Sequence, residues 1–379
     1  MTQKIGKLDK LPRAILSHTP TYIDAMPNLS AHMGTAFLYA KRDDCTGLGL
    51  GGNKARQLEF YLGAAVDQGA DTILITGAVQ SNFVRSAAAA ARKSGMDIHI
   101  QLEARVPNPS PRYHTSGNVL LNRILGATLH SFPEGEDEVG ADRNLEAIAD
   151  GLREQGRNPY VIHLGPGHPP LGALGYVVAA REIVEQMNES GIEFDEVIVA
   201  TGSGASHAGL LFGLRALGCT MVVKGICVRR PMDQQLPRII KRCADIAELL
   251  EIDNPVKDND IHINDDVLAP GYGKMNDAVL EAMTLAAHKE GIILDPVYTG
   301  RAMAGFLTRA RVAREGQNLL FIHTGGQPAV FGYADDLEPM LSNPLSEPLS
   351  DAVCPFPLSS PAHGRCICRG LRYRGRGIC

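Results

Sequence analysis

One lysine follows a Gly-Gly-Asn turn in the segment KRDDCTGLGLGGNKARQLEF, which runs from Lys41 to Phe60. The turn places Lys54 where a helix is predicted to begin. A lysine that is partly removed from water has a lowered pKa and can form an imine with an aldehyde. A lone lysine at a helix start is more often a solvated surface charge. Lys54 is therefore a candidate nucleophile whose role depends on the other segments of the chain.

A turn rich in glycine and serine joins an apolar strand to an apolar helix in VIVATGSGASHAGLL, residues 197–211. Successive backbone N–H groups of such a turn, together with a helix N-terminus, form a binding site for an anion such as phosphate. A turn that needs glycine only for its geometry is an equal alternative. The pattern predicts that this anion faces Gly202, Gly204, Ala205, Ser206 and His207.

A dinucleotide site must be weighed for the same turn, because Gly202, Gly204 and Gly209 approach the G-x-G-x-x-G fingerprint. The third glycine stands at the wrong spacing, and no acidic residue ends the next strand, MVVKGICVRR. Arg229 and Arg230 could still hold the 2′-phosphate of NADP. An NADP-dependent oxidoreductase is therefore the alternative from another enzyme class.

A third segment, TGAVQSNFVRS at residues 76–86, leads from a strand through small polar residues into a helix. The turn can present Ser81 and Asn82 to a cleft. Either residue could instead cap the helix. Because Ser81 lacks a G-x-S-x-G setting, an independent serine hydrolase is not predicted.

Further candidates lie in three late segments that contain glycine or proline. These segments are APGYGKMND with Tyr272, LDPVYTGRAMAG with Tyr298 and Thr299, and FIHTGGQP with His323 and Thr324. Tyrosines between glycines or prolines are held on short turns, which favours a polar task for their hydroxyl groups. Structural hydrogen bonds from tyrosine to backbone are the alternative.

The elements that must position these residues alternate between strand-like and helix-like patterns, which predicts an α/β protein with parallel sheets and crossover helices. The 379 residues exceed the usual size of one domain. We expect a large domain from residues 1–58 and 166–340 and a small domain from residues 59–165. Residues 341–379 are rich in Pro, Ser, Arg and Cys without any period, which predicts a disordered basic tail.

The composition excludes several classes of partner. The net charge of −5 gives no general attraction to nucleic acid or to anionic membranes, and no uninterrupted apolar run reaches spanning length. A cytoplasmic protein is expected. The eight cysteines do not form a disulfide framework. Cys366 and Cys368 lie near His363, but no second pair completes a metal set, so no metal site is predicted.

Taken together, these motifs in this order resemble the D-cysteine desulfhydrase and 1-aminocyclopropane-1-carboxylate deaminase family of pyridoxal-phosphate (PLP) enzymes. The likeness runs from about Leu11 to Tyr333 and includes GALGYV before the glycine loop. It implies PLP fold type II, which is shared with the tryptophan synthase β subunit. This fold has two open twisted, mostly parallel sheets flanked by helices, with the cofactor in the cleft between two domains. The resemblance also implies a homodimer.

The resemblance implies a role for each matching residue. Lys54 would carry PLP as a Schiff base and act as a base, while Asn82 would lie beside the cofactor's 3-hydroxyl. Ser81 would contact the substrate carboxylate or shuttle protons. The remaining implied positions are the phosphate cup at Gly202, Gly204, Ala205 and Ser206, the substrate-facing pair Tyr272 and Tyr298, and Thr299 or Thr324 at the pyridine nitrogen.

The implied reaction is α,β-elimination of a small amino acid such as D-cysteine to pyruvate, ammonia and sulfide. Thr299 stands where the cyclopropane deaminases have glutamate, which favours elimination over that deaminase. L-cysteate sulfo-lyase, the deaminase itself and a non-catalytic PLP-binding protein are the alternatives. Two departures bear on the substrate: Phe83 replaces a histidine, and the turn GPGHPP precedes GALGYV.

Overall fold

The computed structural model describes residues 5–34, 36–163, 165 and 167–341, so the predicted tail lies outside the described residues except for Leu341. A six-stranded sheet has the order β1-β2-β10-β7-β8-β9, and only the edge strand β1 runs antiparallel to its neighbour. Its strands are β1 (Ile23–Ala25), β2 (Phe37–Lys41), β7 (Glu196–Thr201), β8 (Val222–Cys227), β9 (His262–Asn264) and β10 (Asn318–Ile322).

A second sheet has four parallel strands in the order β5-β4-β3-β6. These strands are β3 (Thr72–Ala78), β4 (Asp97–Glu103), β5 (Thr128–Phe132) and β6 (Pro159–Ile162). All seven residues of β3 are buried, as expected for a central strand covered on both faces. Two mostly parallel sheets flanked by helices confirm the predicted fold class.

The helices that cover the sheets have lengths between five and twenty residues. They are α1 (Pro27–Met33), α2 (Lys54–Asp67), α3 (Asn82–Lys93), α4 (Pro111–Thr115), α5 (Gly117–Ile124), α6 (Glu138–Glu154), α7 (Leu171–Ser190), α8 (Ala205–Ala216), α9 (Met232–Leu250), α10 (Asp277–Glu290), α11 (Thr299–Arg311), α12 (Pro328–Gly332) and α13 (Ala334–Leu341). Within the described ranges, no helix combines the length and apolarity that crossing a membrane requires.

Glycine allows α7 and α8 to pack closely against each other. A Cβ atom on Gly209 would collide with the carbonyl oxygen of Ala173, and one on Gly213 would lie 2.6 Å from the Cβ atom of Ala180. Close-packed interiors leave no room for such atoms. These two glycines therefore bring the backbones of α7 and α8 together.

A buried ionic cluster fixes the start of α2. The guanidinium of Arg56 donates to Asp43 at 2.8 Å and to Glu182 at 2.8 Å, and the hydroxyl of Tyr176 donates to Asp43 at 2.7 Å. Lys41 pairs with the same Glu182. Because buried charges are tolerated only when paired, this cluster holds β2, α2 and α7 in one arrangement.

The division of the chain into two domains stays a prediction. The four-stranded sheet comes entirely from residues between Thr72 and Ile162, inside the predicted small domain. Helix α2 runs across the expected boundary between residues 58 and 59.

Candidate active site

A cavity lies where strands of both sheets end and helices begin. Its lining combines the end of β3, the end of β7, the turn after β10 and the first residues of α2, α3 and α6. In open parallel sheets, ligands bind beyond the carboxyl ends of the strands. The predicted site residues that line this cavity are Lys54, Ser81, Asn82, Gly202, Gly204, Ser206, Tyr272, Tyr298 and Thr324.

Lys54 is the first residue of α2 and follows two glycines in the left-handed region, Gly51 with φ 67° and Gly52 with φ 107°. A Cβ atom on Gly51 would collide with the carbonyl oxygen of Asp44, so this turn requires glycine. Burial, with a smaller effect of the nearby Arg242, lowers the pKa of Lys54 to about 8. Near neutral pH, a useful fraction of the amine is therefore uncharged and nucleophilic.

Phe83 contributes to the apolar surroundings of this lysine. Its ring centroid lies 5.3 Å from Lys54 Nζ, and its ring packs against that of Tyr61 at 6.2 Å. Because Lys54 Nζ lies over this ring at a cation–π distance, the ring attracts the charged amine, and the lowered pKa of Lys54 comes from burial and Arg242. The departure noticed in the sequence thus lies directly beside the candidate nucleophile.

The glycine loop after β7 forms a cup for an anion. Gly204, with φ 86°, is the N-cap of α8 and supplies no side-chain cap to the helix N-terminus, where the N–H of Ala205 donates to Ser203 Oγ at 3.5 Å. The Oγ atom of Ser206 accepts hydrogen bonds from Asn53 Nδ2 and from Gln57 Nε2, each at 2.8 Å. A hydroxyl oxygen has two lone pairs and one proton, so this proton remains available as a donor.

Two residues expected in the cup do not line the cavity. Ala205 lies in the helix behind Gly204 and is buried. His207 is fully buried, and a Cβ atom on Gly225 of β8 would collide with its ring, so its imidazole packs against the sheet. Burial lowers the pKa of His207 to about 4, which keeps it neutral. The His207 side chain does not face the cavity, because consecutive helical side chains point about 100° apart, and a contact of the anion with the backbone of His207 stays a prediction.

Ser81 and Asn82 both line the cavity, and the capping alternative for Ser81 also holds. Ser81 Oγ accepts from the N–H groups of Phe83 at 3.2 Å and Val84 at 3.4 Å. Its proton therefore remains as a donor. Asn82 Oδ1 accepts from Asn118 Nδ2 at 2.8 Å, which leaves the Asn82 amide N–H groups free to face an oxygen in the cavity.

The two tyrosines meet although 26 positions separate them. The hydroxyl oxygens of Tyr272 and Tyr298 lie 2.6 Å apart, and their rings pack edge to face with centroids 6.0 Å apart. Burial, reinforced by Tyr272, raises the pKa of Tyr298 well above its ordinary value. Tyr298 is therefore a protonated donor over the physiological pH range.

The two threonines considered for the pyridine nitrogen occupy different places. Thr324 lines the cavity, and its carbonyl oxygen accepts from the N–H of Asn53 at 3.0 Å. Thr299 is fully buried at the start of α11 and is not among the cavity-lining residues. Its hydroxyl donates to Asp295 Oδ1 at 2.6 Å and accepts from the N–H of Asp295 at 2.8 Å. Thr299 thus stabilises a helix start.

His323 belongs to the scaffold. Its Nδ1 atom accepts from the N–H of Gly325 at 3.2 Å, and its Nε2 atom lies 3.2 Å from the carbonyl oxygen of Ile293. Burial lowers the pKa of this imidazole. A buried, neutral histidine with both nitrogens in local contacts orients the turn after β10.

Sequence reasoning missed Glu103, Arg105, Glu138 and Arg238, four charged residues of the cavity wall, and considered Arg229 and Arg230 only for NADP. Glu138 pairs with Arg229 at 3.1 Å, with Arg238 at 2.9 Å and with Arg230. Arg105 donates to Glu103 at 2.7 Å. All of these residues line the cavity, which gives it more positive than negative side chains. No local motif marks the four missed residues.

These side chains fit pyridoxal phosphate. A neutral lysine can bind an aldehyde, the N-terminus of α8 with the Ser206 hydroxyl suits a phosphate, and the Asn82 amide suits a phenolic oxygen. In the turn before Lys54, a Cβ atom on Gly52 would lie 3.1 Å from the Thr324 carbonyl oxygen, so bulk there would disturb the site. The fold and this donor set together define an enzyme that works through pyridoxal phosphate.

The chain belongs to the family of pyridoxal-phosphate-dependent enzymes, whose model matches residues 15–325. It is similar to D-cysteine desulfhydrases of Salmonella typhi and Salmonella choleraesuis, each 42% identical over 329 residues, with 86% of this chain and 97% of the relative covered. The recognised resemblance and the cofactor are thereby confirmed, and the chain is a PLP-dependent lyase. The NADP alternative is set aside.

Solved structures agree with this assignment. An ACC deaminase homologue superposes with a TM-score of 0.77 and 38% sequence identity, over 88% of this chain and 97% of that one. An O-ureido-L-serine synthase superposes with a TM-score of 0.58 and 18% identity, over 90% of this chain and 100% of that one. The second likeness shows the fold alone.

Proposed function

We propose that this chain catalyses α,β-elimination of D-cysteine to pyruvate, ammonia and sulfide in the described cavity. The observation that carries the proposal is a lysine with a lowered pKa, Lys54, in the same cavity as the hydrogen-bonded pair Tyr272 and Tyr298. The similarity to D-cysteine desulfhydrases supports the choice of substrate. Pyridoxal phosphate, when bound, withdraws electrons from the α-carbon of an amino acid.

The chain's own groups then have distinct tasks. Uncharged Lys54 Nζ accepts the α-proton of the substrate, because a base must be deprotonated at working pH. Tyr298 Oη, held protonated by burial, donates to the departing sulfur. The Tyr272 hydroxyl orients the Tyr298 hydroxyl through their shared hydrogen bond. Ser81 Oγ donates to the substrate carboxylate. Sulfide leaves as the α,β double bond forms, and water converts the resulting enamine to pyruvate and ammonia.

The cofactor contacts that we propose follow the donors of the cavity. Ser206 and the N–H groups after Gly204 would hold the phosphate, and Asn82 would face the 3-hydroxyl. For the pyridine nitrogen we favour Thr324 over Thr299, because Thr324 lines the cavity and the Thr299 hydroxyl is engaged with Asp295. A neutral threonine there would hold the ring nitrogen without fully protonating it.

L-cysteate is the second candidate substrate. Arg105, Arg229, Arg230 and Arg238 line the cavity, and a sulfonate would find there the cationic donors that it prefers. The cyclopropane acid is a third candidate, since one similar structure is described as an ACC deaminase homologue. A non-catalytic PLP-binding protein would not need the pair of tyrosines.

The deciding experiment is a substrate panel assayed for keto acid and for the leaving group. It contains D- and L-cysteine, L-cysteate, β-chloroalanine, D-serine and 1-aminocyclopropane-1-carboxylate. D-cysteine should give pyruvate and sulfide with the highest kcat/KM. Sulfite from L-cysteate alone, or 2-oxobutyrate from the cyclopropane acid alone, would replace the proposed substrate, and no keto acid from PLP-loaded protein would refute catalysis.

We also propose that the chain forms a homodimer, that it is cytoplasmic and that residues 341–379 are dispensable for activity. For the homodimer, light scattering during gel filtration should give twice the mass of 40.7 kDa. A chain that ends at Leu341 should turn over as the full chain does, because a Pro- and Arg-rich segment adds little to a packed core. A monomer that is fully active would overturn the first expectation.

A further inference from the structure

Two histidines and two carboxylates meet beside the active-site cavity, between α6 and the segment that follows β6. The rings of His163 and His168 stack with centroids 3.9 Å apart and planes 9° apart. Asp142 and Glu146 lie four positions apart on α6 and therefore share one helix face. One ligand atom each from Asp142, His163 and His168 lies within 4.8 Å of the other two.

The contacts of His163 distinguish its two nitrogens. Nε2 lies 2.8 Å from Glu146 Oε1, within hydrogen-bond distance. Nδ1 is buried, has no hydrogen-bond partner and lies 3.6 Å from Asp142 Oδ1. With bonds of about 2.0 to 2.2 Å, two ligands of one tetrahedral zinc ion are roughly 3.4 Å apart. Nδ1 and Oδ1 are therefore spaced like two ligands of a shared ion.

The surroundings match a metal centre in two further respects. A histidine that binds a metal through one nitrogen commonly donates the N–H of the other to a carboxylate, which is the place that Glu146 has here. A Cβ atom on Gly165 would lie only 2.9 Å from Asp142 Oδ2, so glycine leaves the carboxylate room. Asp142 and Gly165 also line the active-site cavity.

We propose that Asp142, His163 and His168 bind one divalent transition-metal ion of the zinc type at the rim of the cavity, with Glu146 orienting His163. Two imidazoles and one carboxylate form a ligand set that suits Zn²⁺ and Co²⁺ and leaves a fourth position for water. The ring of His168 turns out of the stack when the ion binds, because an imidazole binds a metal in its own ring plane and two parallel rings cannot share one ion. The ion would tie α6 to the segment before α7. This proposal does not depend on the substrate, and it adds a site where sequence reasoning predicted none.

The test is titration of the full-length holoenzyme, first stripped of metal by a chelator, with Zn²⁺ alone by calorimetry and with Co²⁺ by visible absorption. One equivalent should bind, with intense tetrahedral Co²⁺ bands. His163→Gln should abolish this binding, and Glu146→Gln should weaken it by about 10- to 100-fold. His130→Gln is the matched control: its ring stacks on His99 at 5.3 Å, and it should bind as the wild type does.

One more variant tests whether cysteines of the C-terminal segment, rather than Asp142, His163 and His168, bind the ion. The double variant Cys366→Ser/Cys368→Ser, made in the full chain, should bind the ion as the wild type does. Loss of metal binding in this variant would assign the ion to the C-terminal segment and overturn the proposal. Absence of saturable binding by the wild type, or equal affinity in His163→Gln, would overturn it as well. Circular dichroism establishes that each variant folds. If His163→Gln does not fold, Asp142→Asn is used in its place and should also abolish binding.

Discussion

Asn118 Nδ2 donates a hydrogen bond of 2.8 Å to Asn82 Oδ1, and this contact decides which face of the Asn82 amide is turned to the cavity. The same Asn118 amide donates to the carbonyl oxygen of Gln80 at 3.0 Å. With its oxygen held by Asn118, Asn82 turns its N–H groups towards a ligand and acts there as a donor. A residue from α5 thus sets the polarity of a residue on α3.

Replacing Asn118 should therefore weaken cofactor binding without touching the cofactor. We expect Asn118→Ala to lower PLP affinity by about 2- to 12-fold, which corresponds to one hydrogen bond of roughly 0.5 to 1.5 kcal/mol. Absorbance titration with PLP measures this change. Asn122→Ala is the control, since Asn122 is equally buried on the same helix but its amide has no partner. Equal affinities in both variants would contradict the orienting role.

Much of the fold could be predicted because its signals are local. Buried parallel strands appear as short apolar runs, and the alternation of strand and helix follows from the need to cross over between parallel strands. Lys54, Ser81 and Ser206 were found for the same reason, since each adjoins a turn or a glycine loop visible in the sequence. Ser81 and Ser206 follow the ends of β3 and β7, where ligands bind in such folds, and Lys54 begins α2.

The missed residues share a different property, which is that no neighbour in sequence marks them. Asn118 acts on Asn82 across 36 positions, and Glu138 pairs with Arg238 across 100 positions. Thr299 follows Tyr298 in the sequence, yet only Tyr298 lines the cavity, because a helix start turns consecutive side chains in different directions. Contacts made only by tertiary packing carry no local pattern.

The lowered pKa of Lys54 leads to a prediction about pH. The neutral amine is the form that captures an aldehyde, and a pKa of about 8 instead of 10.5 gives roughly 300-fold more of it at pH 7. Capture of PLP by cofactor-free protein should therefore accelerate as pH rises towards 8 and level off above it. Stopped-flow absorbance at a series of pH values gives the midpoint; a midpoint near 10 would contradict the burial effect.

Chemical labelling should identify the same lysine. Borohydride treatment of the yellow protein should leave a pyridoxyl group on the peptide that contains Lys54, and peptide mass spectrometry locates it. Lys41 is the internal control, because it is buried as well but pairs with Glu182 and does not line the cavity. Lys54→Ala should remove the label, and a label on Lys41 would refute the assignment.

The two threonines should respond differently to the same isosteric change. Thr324→Val removes a hydroxyl from the cavity wall and should shift the absorption maximum or the affinity of bound PLP. Thr299→Val should instead lower the free energy of unfolding by about 1 to 3 kcal/mol, because Asp295 loses a buried partner. Urea unfolding and PLP titration of both variants separate the effects. A spectral change confined to Thr299→Val would reverse the proposed roles.

The tyrosine pair permits the sharpest test of the chemistry. Tyr298→Phe keeps the ring, which packs against Tyr272, and removes only the donor that we place at the departing sulfur. Turnover should fall by about 10²- to 10⁴-fold, the usual contribution of a positioned proton donor, while PLP remains bound. Tyr272→Phe should lower turnover less, because Tyr298 keeps its own proton.

Since the hydroxyls share one hydrogen bond, the double variant should be little slower than Tyr298→Phe alone. Steady-state kinetics of the four proteins gives this cycle. Strictly multiplicative losses would mean that the tyrosines act independently, and unchanged turnover in Tyr298→Phe would place the proton donor elsewhere in the cavity.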